Sequence, residues 1–489
     1  MHLYIDRKYH LWIILILGLI LRMILLNQSL WLDEAIGAIV AKGYSFQDIL
    51  LKFPLGDNHP PLYYLILRGW SLIFGYGEIS LRMPSVIFGV LTIYFVYKIA
   101  KEFTKGNPTI PAILLATSPL AIYYSQEARM YMLSGFLAAG GVYFFLRTFK
   151  ENSKLRDFLG FSLFYTLLVF SDYMPVFLYP VFVIYPLIRK VGFLWWKKFF
   201  FSNLPLLVLG VLWLPILQRQ GEGGRRLLET LPAWVNVAGG ANFKQVGVFW
   251  SKFTLGRISL INKYIQYSLV FLASVPIIAA LFGSLRKFKD SRLFWLWFAL
   301  PVILGFAASF AFPAFIYFRY IYVLPAFYLL ISLGTESYGK VGKLLIASIV
   351  IFNLIGWGVY IFDPRQHREN WREAVAYVEE EAFPGEVVIF GNPEPFAPYR
   401  WYSSGKVKAL GVTDSISADR EKTEKIIGDA LATATGVYYF EYLRDLEDPS
   451  GIVEGTLGKI GFREKERKDF NGVGFIIHYQ RKQIYANRN

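Results

Sequence analysis

Eleven long apolar runs in the first three-quarters of the chain constrain its fold more than any other feature of the sequence. A helix needs about 20 mainly apolar residues to cross a bilayer, because every backbone N–H and C=O must be satisfied within the hydrocarbon. Runs of this kind lie at 11–27, 83–100, 109–124, 129–147, 158–172, 174–188, 197–217, 265–285, 293–311, 313–334 and 342–362. A twelfth stretch, 61–74, is short and carries Arg68, which places it flat at the membrane surface. The first run has no small-residue cleavage site and leads into further spans, so it reads as a retained helix rather than a removed signal peptide. The chain is therefore expected to be a polytopic α-helical membrane protein.

Charge sets the expected sides. With the N-terminus cytoplasmic, alternate connections hold Lys101 and Lys105; Arg147, Lys150, Lys154 and Arg156; Arg189, Lys190, Lys197 and Lys198; Arg286, Lys287, Lys289 and Arg292; Lys340 and Lys343. The short opposite connections carry little beyond Arg82 and Arg129. This is a steep positive-inside bias, and it would reverse if 61–74 spanned. Three segments then face outward: a first loop of residues 28–82 with interfacial helices, a second loop at 218–264, and everything after 362. The formal charge of +15 is accounted for by these loops and by anionic head groups, so nucleic acid is not an expected partner. With no cysteine, disulfides and thiolate chemistry are excluded.

After residue 362 charged residues return. Strand-like runs at 386–390, 436–440 and 474–479 alternate with helical ones at 371–381 and 420–431, which predicts a small soluble α/β domain. The expected division is a transmembrane catalytic domain at 1–362 and an extracytoplasmic α/β domain at 363–489.

Acidic residues are scarce in the membrane part, and most fall on the expected outer side. Four segments stand out: Ser29-Leu30-Trp31-Leu32-Asp33-Glu34-Ala35, Gly56-Asp57-Asn58-His59-Pro60-Pro61-Leu62-Tyr63-Tyr64, Tyr123-Tyr124-Ser125-Gln126-Glu127-Ala128-Arg129-Met130-Tyr131, and Tyr317-Phe318-Arg319-Tyr320. Each has a plain structural explanation, such as helix capping for Asp33 and for Asn58-His59-Pro60, or snorkelling for Arg319. Together they indicate a polar cavity, because acids and arginines at a membrane boundary are costly unless paired or wetted. Adjacent helical residues point about 100° apart, so Asp33 and Glu34 cannot share one role.

This ordered set resembles the GT-C membrane glycosyltransferases, in the branch of the protein O-mannosyltransferases and of the enzyme that adds aminoarabinose to lipid A. The resemblance covers roughly residues 1–362. It implies a GT-C-like fold of about eleven transmembrane helices, a polyprenyl- or dolichyl-phosphate monosaccharide as donor, and inversion at the anomeric carbon. By the same resemblance Asp33 takes the family's catalytic acidic position and Glu34 its neighbour. His59 falls in the His-Pro-Pro motif, Glu127 and Arg129 in the second outer motif, and Arg319-Tyr320 in the late Arg-Tyr element. This chain lacks the lysine that the aminoarabinose enzyme carries in its proline-rich segment. It also shows no β-trefoil insertion at 218–264.

The implied chemistry is coherent. A departing lipid phosphate has a second pKa near 6 and needs positive charge rather than a proton; Arg129, Arg319 and Tyr320 are the donor-phosphate candidates. The acceptor hydroxyl needs a base, and Asp33 is the candidate. Asp57, His59, Tyr63, Tyr124 and Glu127 are expected to line the pocket. A divalent metal held by Asp57, His59 and Glu127 stays open. The expected partners are the lipid-phosphate sugar, membrane lipids and a hydroxyl acceptor in a protein, lipid or glycan, at the plasma membrane. The alternative is a transporter or flippase for lipid-linked saccharides, although no internal repeat is present.

Overall fold

The computed structural model describes residues 7–482. The outermost residues of the two expected domains, 1–6 and 483–489, lie outside the described part. Among the described residues, six helical segments are long and apolar enough to cross a membrane: Glu78–Phe103, Leu204–Thr230, Lys263–Arg286, Phe288–Ala308, Tyr317–Tyr338 and Lys340–Phe362. The remaining expected spans are shorter or interrupted, and the interruptions have local causes. The run at 109–124 divides into Thr109–Thr117 and Pro119–Ser125. Pro119 has no N–H to continue the ladder, and the Ser118 hydroxyl caps the second helix by accepting from the Ala121 N–H at 3.3 Å. The run at 174–188 opens as a 3-10 turn, Met174–Leu178, before Tyr179–Ile188. In the run at 313–334 the helix starts only at Tyr317 and is kinked at Tyr320. The short segment at 61–74 forms the helix Leu62–Phe74.

The chain divides into two units. One comprises Met1–Leu26, Tyr44–Gly221 and Ala238–Gln366; the other comprises Asn27–Gly43, Glu222–Val237 and His367–Asn489. Two stretches of the loops at 28–82 and 218–264 group with the C-terminal segment, and the first of them carries Asp33 and Glu34.

In the helical unit, Glu78–Phe103 packs along Tyr131–Arg147, which packs in turn along Leu155–Val169. Lys263–Arg286 and Leu324–Thr335 meet through small residues: a side chain on Gly334 would strike the Ala280 carbonyl, and one on Gly283 the Gly334 backbone. Such close approach drives helix association in lipid, where the hydrophobic effect gives no preference for protein over acyl chain. Fully buried Arg22 joins the helix Arg7–Met23 to the break before Pro119. Its Nε donates to Ser125 Oγ at 2.9 Å, and its Nη1 to the Ala116 carbonyl at 3.1 Å, a group the interrupted ladder leaves open. The Arg22 guanidinium and Ser125 lie against Gly89, near the middle of Glu78–Phe103, a helix roughly 40 Å long. Near its C-terminal end Glu102 pairs with Lys98 at 2.6 Å and Lys150 at 2.9 Å, and close by Arg147 pairs with Asp157 at 2.8 Å.

The second unit contains a five-stranded sheet of β1 (Glu386–Phe390), β2 (Lys408–Gly411), β3 (Gly436–Phe440), β4 (Phe462–Phe470) and β5 (Gly474–Arg481), in the order β2-β1-β3-β5-β4. The first three are parallel; β5 runs antiparallel to β3, and β4 antiparallel to β5. β1 and β3 are buried along their whole length, as strands covered on both faces must be. One core joins Trp371, Val388, Phe390, Tyr399 and Phe440; the other joins Ile389, Ile427, Val437, Leu457 and Ile477.

One carboxyl in this unit is poorly solvated. Glu447 is 4% exposed; Asn392 Nδ2 donates to its Oε1 at 2.9 Å, while Oε2 has no hydrogen-bond partner among the described residues. Burial pushes its pKa up to about 8, against about 4.3 in an unfolded chain. Between these values the unfolded chain has released the proton that the folded one keeps. Stability therefore falls as pH rises through this window, by a total on the order of 4–5 kcal/mol. Glu447→Gln is expected to raise the thermal midpoint at pH 8.5 and to flatten its decline between pH 5 and 8.5. An unchanged slope would show that the folded carboxyl is already ionised.

Candidate functional site

Three of the expected residues, Asp57, His59 and Arg129, form one closed network with Tyr64 in the helical unit. The Asp57 carboxylate accepts from His59 Nδ1 at 2.6 Å and from the Tyr64 hydroxyl at 3.2 Å. Arg129 closes the ring, donating from Nη1 to the Tyr64 hydroxyl at 2.9 Å and from Nη2 to His59 Nε2 at 3.3 Å. Burial alone would raise the Asp57 carboxyl, but His59 and Arg129 prevail and hold it below the usual range. Tyr63 extends the network: its hydroxyl meets Ser85 Oγ at 2.8 Å, and Ser85 donates to the Arg129 carbonyl at 3.1 Å.

The loop bearing Asp57 and His59 is pinned from a distant helix. Gln220, in Leu204–Thr230, donates to the Asp57 carbonyl at 2.8 Å and the Pro54 carbonyl at 2.9 Å, and its own oxygen accepts from the Tyr173 hydroxyl at 2.6 Å. Nearby, buried Asp172 accepts from the Met174 N–H at 3.1 Å and attracts Arg319, His59 and Arg129. Arg319 is half-buried in this acidic environment.

A second cluster surrounds Arg257, in the turn after the helix Phe243–Leu255. Its guanidinium lies 4.9 Å from the centre of the Tyr123 ring and donates to that residue's hydroxyl. The Tyr124 hydroxyl donates to that of Tyr317 at 3.1 Å, and both tyrosines interact with Arg257, as does buried Glu127. Tyr123 foremost, then Tyr317, Tyr124 and Glu127, raise the Arg257 pKa against the pull of desolvation. Lys252 close by is lowered to about 8, chiefly by burial and then by repulsion from Arg257 and Lys263. Arg257 as a residue reaches the surface, while its guanidinium is held on Tyr123.

Gly256 makes this turn possible. Its φ of +78° suits glycine, and a side chain there would strike Pro119. Sequence reasoning missed Arg257, Gln220 and Asp172 as site residues. Arg257 lies in Gly-Arg-Ile-Ser, a stretch without motif or period. Gln220 had a signal, as an amide near the end of an apolar helix.

Asp33 and Glu34 belong to the other unit, in the first turn of Leu32–Gly43. They diverge as their 100° spacing requires: Glu34 is fully buried and Asp33 only partly so. The structure thus brings together Asp57, His59, Tyr63, Tyr64 and Arg129, and separately Tyr124 and Glu127 with Arg257. Tyr320 belongs to neither cluster's hydrogen bonds. Its ring is fully buried among Phe249, Phe315 and Tyr322, with its hydroxyl against Gly305.

Among the described residues no group of three or more acidic and histidine side chains is arranged to hold a metal ion. Both nitrogens of His59 are engaged, and the Arg129 cation sits beside them. This arrangement does not fit a metal shared by Asp57, His59 and Glu127.

No curated protein matches the chain by sequence search. A family model described as dolichyl-phosphate-mannose-protein mannosyltransferase matches residues 58–217, which include the Asp57 loop from Asn58 onward and the Arg129 segment. Among solved structures, ArnT from Cupriavidus metallidurans bound to undecaprenyl phosphate is similar in fold, with a TM-score of 0.60 at 11% identity over 96% of this chain and 97% of that one. The apo form of ArnT gives 0.57 with the same coverage. The arabinofuranosyltransferase AftD from Mycobacteria gives 0.56 at 13% identity over 98% of this chain and 40% of its own. Over residues 58–217 the chain is thus similar to a family of mannosyltransferases, and over nearly its whole length it shares the fold of ArnT.

Proposed function

We propose that the protein moves a monosaccharide from a polyprenyl- or dolichyl-phosphate carrier to an acceptor hydroxyl, on the extracytoplasmic side of the plasma membrane. The observation that carries this reading is the guanidinium of Arg257, held by Tyr123 and close enough to Tyr124 and Tyr317 to act on both, in a membrane-spanning unit. It offers a fixed cation for a lipid phosphate and apolar ring faces for a sugar or isoprenoid. ArnT was solved with undecaprenyl phosphate bound, which supports a polyprenyl carrier. The steep bias of lysine and arginine toward alternate loops supports the outer side.

In the reaction the acceptor oxygen forms a bond to the anomeric carbon while the bond from that carbon to the phosphate oxygen breaks. The acceptor proton passes to the Asp33 carboxylate. The lipid phosphate leaves with the bonding pair and needs no proton, because Arg257, Arg129 and Arg319 stabilise its charge. Attack opposite the leaving group inverts the anomeric centre, by analogy with inverting glycosidases. Glu34 holds the turn that carries Asp33, and the Asp57–His59–Arg129 ring holds the shape of the pocket. No step runs through a metal.

Undecaprenyl phosphate is expected to raise the thermal midpoint of the purified protein, whereas undecaprenol at equal concentration is not. Equal stabilisation by both would mean that the chain recognises the isoprenoid and not the phosphate.

A further inference from the structure

We infer that the C-terminal α/β segment is the positioning element for the catalytic base. This inference rests on the reading of Asp33 as that base. Four residues, 28–31, lie between Asn27 and the helix Leu32–Gly43, and the C-terminal segment holds polar groups on each residue from Asn27 to Leu30. The Gln28 side chain accepts from the Arg368 N–H at 2.7 Å. Ser29 Oγ donates to the Glu369 carbonyl at 2.9 Å and accepts from the Arg372 N–H at 3.2 Å. The Asn27 carbonyl accepts from Arg372 Nη2 at 2.8 Å. The Leu30 N–H, on a fully buried residue, donates to the Tyr402 hydroxyl at 2.7 Å.

The far ends of these bonds are themselves anchored. The Glu369 carboxylate accepts from Trp371 Nε1 at 2.8 Å and from the Tyr442 hydroxyl at 3.2 Å. Trp371 and Tyr442 belong to the aromatic core on one face of the sheet, and Leu32 packs against that same core. The helix Leu32–Gly43 lies along Ala397–Tyr402, and Lys42 sits 5.4 Å from the Trp401 ring. Asp33 is close enough to Tyr442 to act on its hydroxyl electrostatically.

The turn entering the Asp33 helix is thus fixed by side chains whose rotamers the sheet core locks. A general base must meet the acceptor hydroxyl within hydrogen-bond reach, and a misplacement of about 1 Å costs on the order of 100-fold in rate. A domain that merely shielded a site would not need to hold four successive residues of the loop, Asn27 to Leu30, immediately before the base. Tyr402, Ser29 and Glu369 are therefore positioning residues, acting through Asp33 without touching substrate.

The test uses the full-length protein in liposomes. Tyr402→Phe removes one hydroxyl and leaves the Leu30 N–H without its acceptor. Ser29→Ala, a second and smaller lesion, keeps the question answerable should the first variant fold poorly. Each is expected to lower kcat by roughly 10- to 100-fold, to leave the donor KM within about twofold, and to leave the thermal midpoint little changed. Introduced into Asp33→Asn, neither should further reduce the residual donor hydrolysis, because there is no longer a base to misplace. Equal losses in both backgrounds, or a wild-type kcat in both single variants, would overturn the inference. Full activity of Asp33→Asn itself would instead remove the reading beneath it, so the two failures are told apart.

Discussion

Asp33→Asn is expected to lower sugar transfer by roughly 10²- to 10⁴-fold, with donor affinity and thermal midpoint close to those of the wild type. The amide matches the carboxylate in size and keeps one acceptor oxygen, so the first turn of Leu32–Gly43 can form as before. What is lost is the ability to take the acceptor proton as the new bond forms. The loss should fall on kcat, because a base contributes in the transition state and little in the ground state. Glu34→Gln should behave differently. Glu34 is fully buried in the helix that Asp33 leaves partly exposed, so its replacement should lower the thermal midpoint at least as clearly as the rate. Transfer by Asp33→Asn at the wild-type rate would remove Asp33 from its role. A rate loss confined to Glu34→Gln would transfer that role to its neighbour.

The second large effect is expected at Arg257. Arg257→Gln removes the cation beside Tyr123, Tyr124, Tyr317 and Glu127, and should reduce kcat/KM for the lipid-phosphate donor by roughly 10²- to 10³-fold. Stabilisation by undecaprenyl phosphate should weaken in the same variant, since both effects depend on one charge. Arg257→Lys should recover part of the activity, as it keeps the charge but loses the planar fork that grips two phosphate oxygens. Binding and turnover both unchanged in Arg257→Gln would leave Arg129 and Arg319 as the phosphate contacts.

Much of this molecule is legible in the chain. The strands at 386–390 and 436–440 and the helix at 371–381 are found where the apolar patterns predict them. Each is buried deeply enough to print its period on the sequence. β4 is different: FREKERKDF is exposed between its two terminal phenylalanines, and it becomes a strand only through pairing with β5. Its charges suit an edge strand, which must discourage further pairing, and they hide it from any search for apolar alternation. β2 is four residues long, too short for a pattern to emerge.

In the membrane part the runs of hydrophobicity mark where helices lie but not where they break. Ser118-Pro119 and the kink at Tyr320 are visible only as single residues within otherwise apolar stretches. For the site, the His-Pro-Pro and Gln-Glu-Ala-Arg segments announce the Asp57–His59–Arg129 ring by their polarity. The pairing of Tyr64 with both Asp57 and Arg129 needs the fold. Arg257 lies 128 residues from Arg129 in sequence and carries no local signature. The attachment of Asp33 to the C-terminal segment is equally invisible, because its bonds join residues about 340 or more positions apart. Long-range contacts of this kind leave no periodicity behind.

The most direct test of the account is turnover by the purified protein in liposomes, offered a panel of radiolabelled polyprenyl-phosphate and dolichyl-phosphate monosaccharides beside the matching nucleotide sugars. Crude lipid and protein from the native host supply the acceptor, and slow donor hydrolysis is scored as well. The account predicts that label leaves at least one lipid-phosphate donor and no nucleotide sugar, and that this release collapses in folded Asp33→Asn. Use of a nucleotide sugar, or no turnover of any lipid-phosphate donor by folded protein with the extract present, would contradict it.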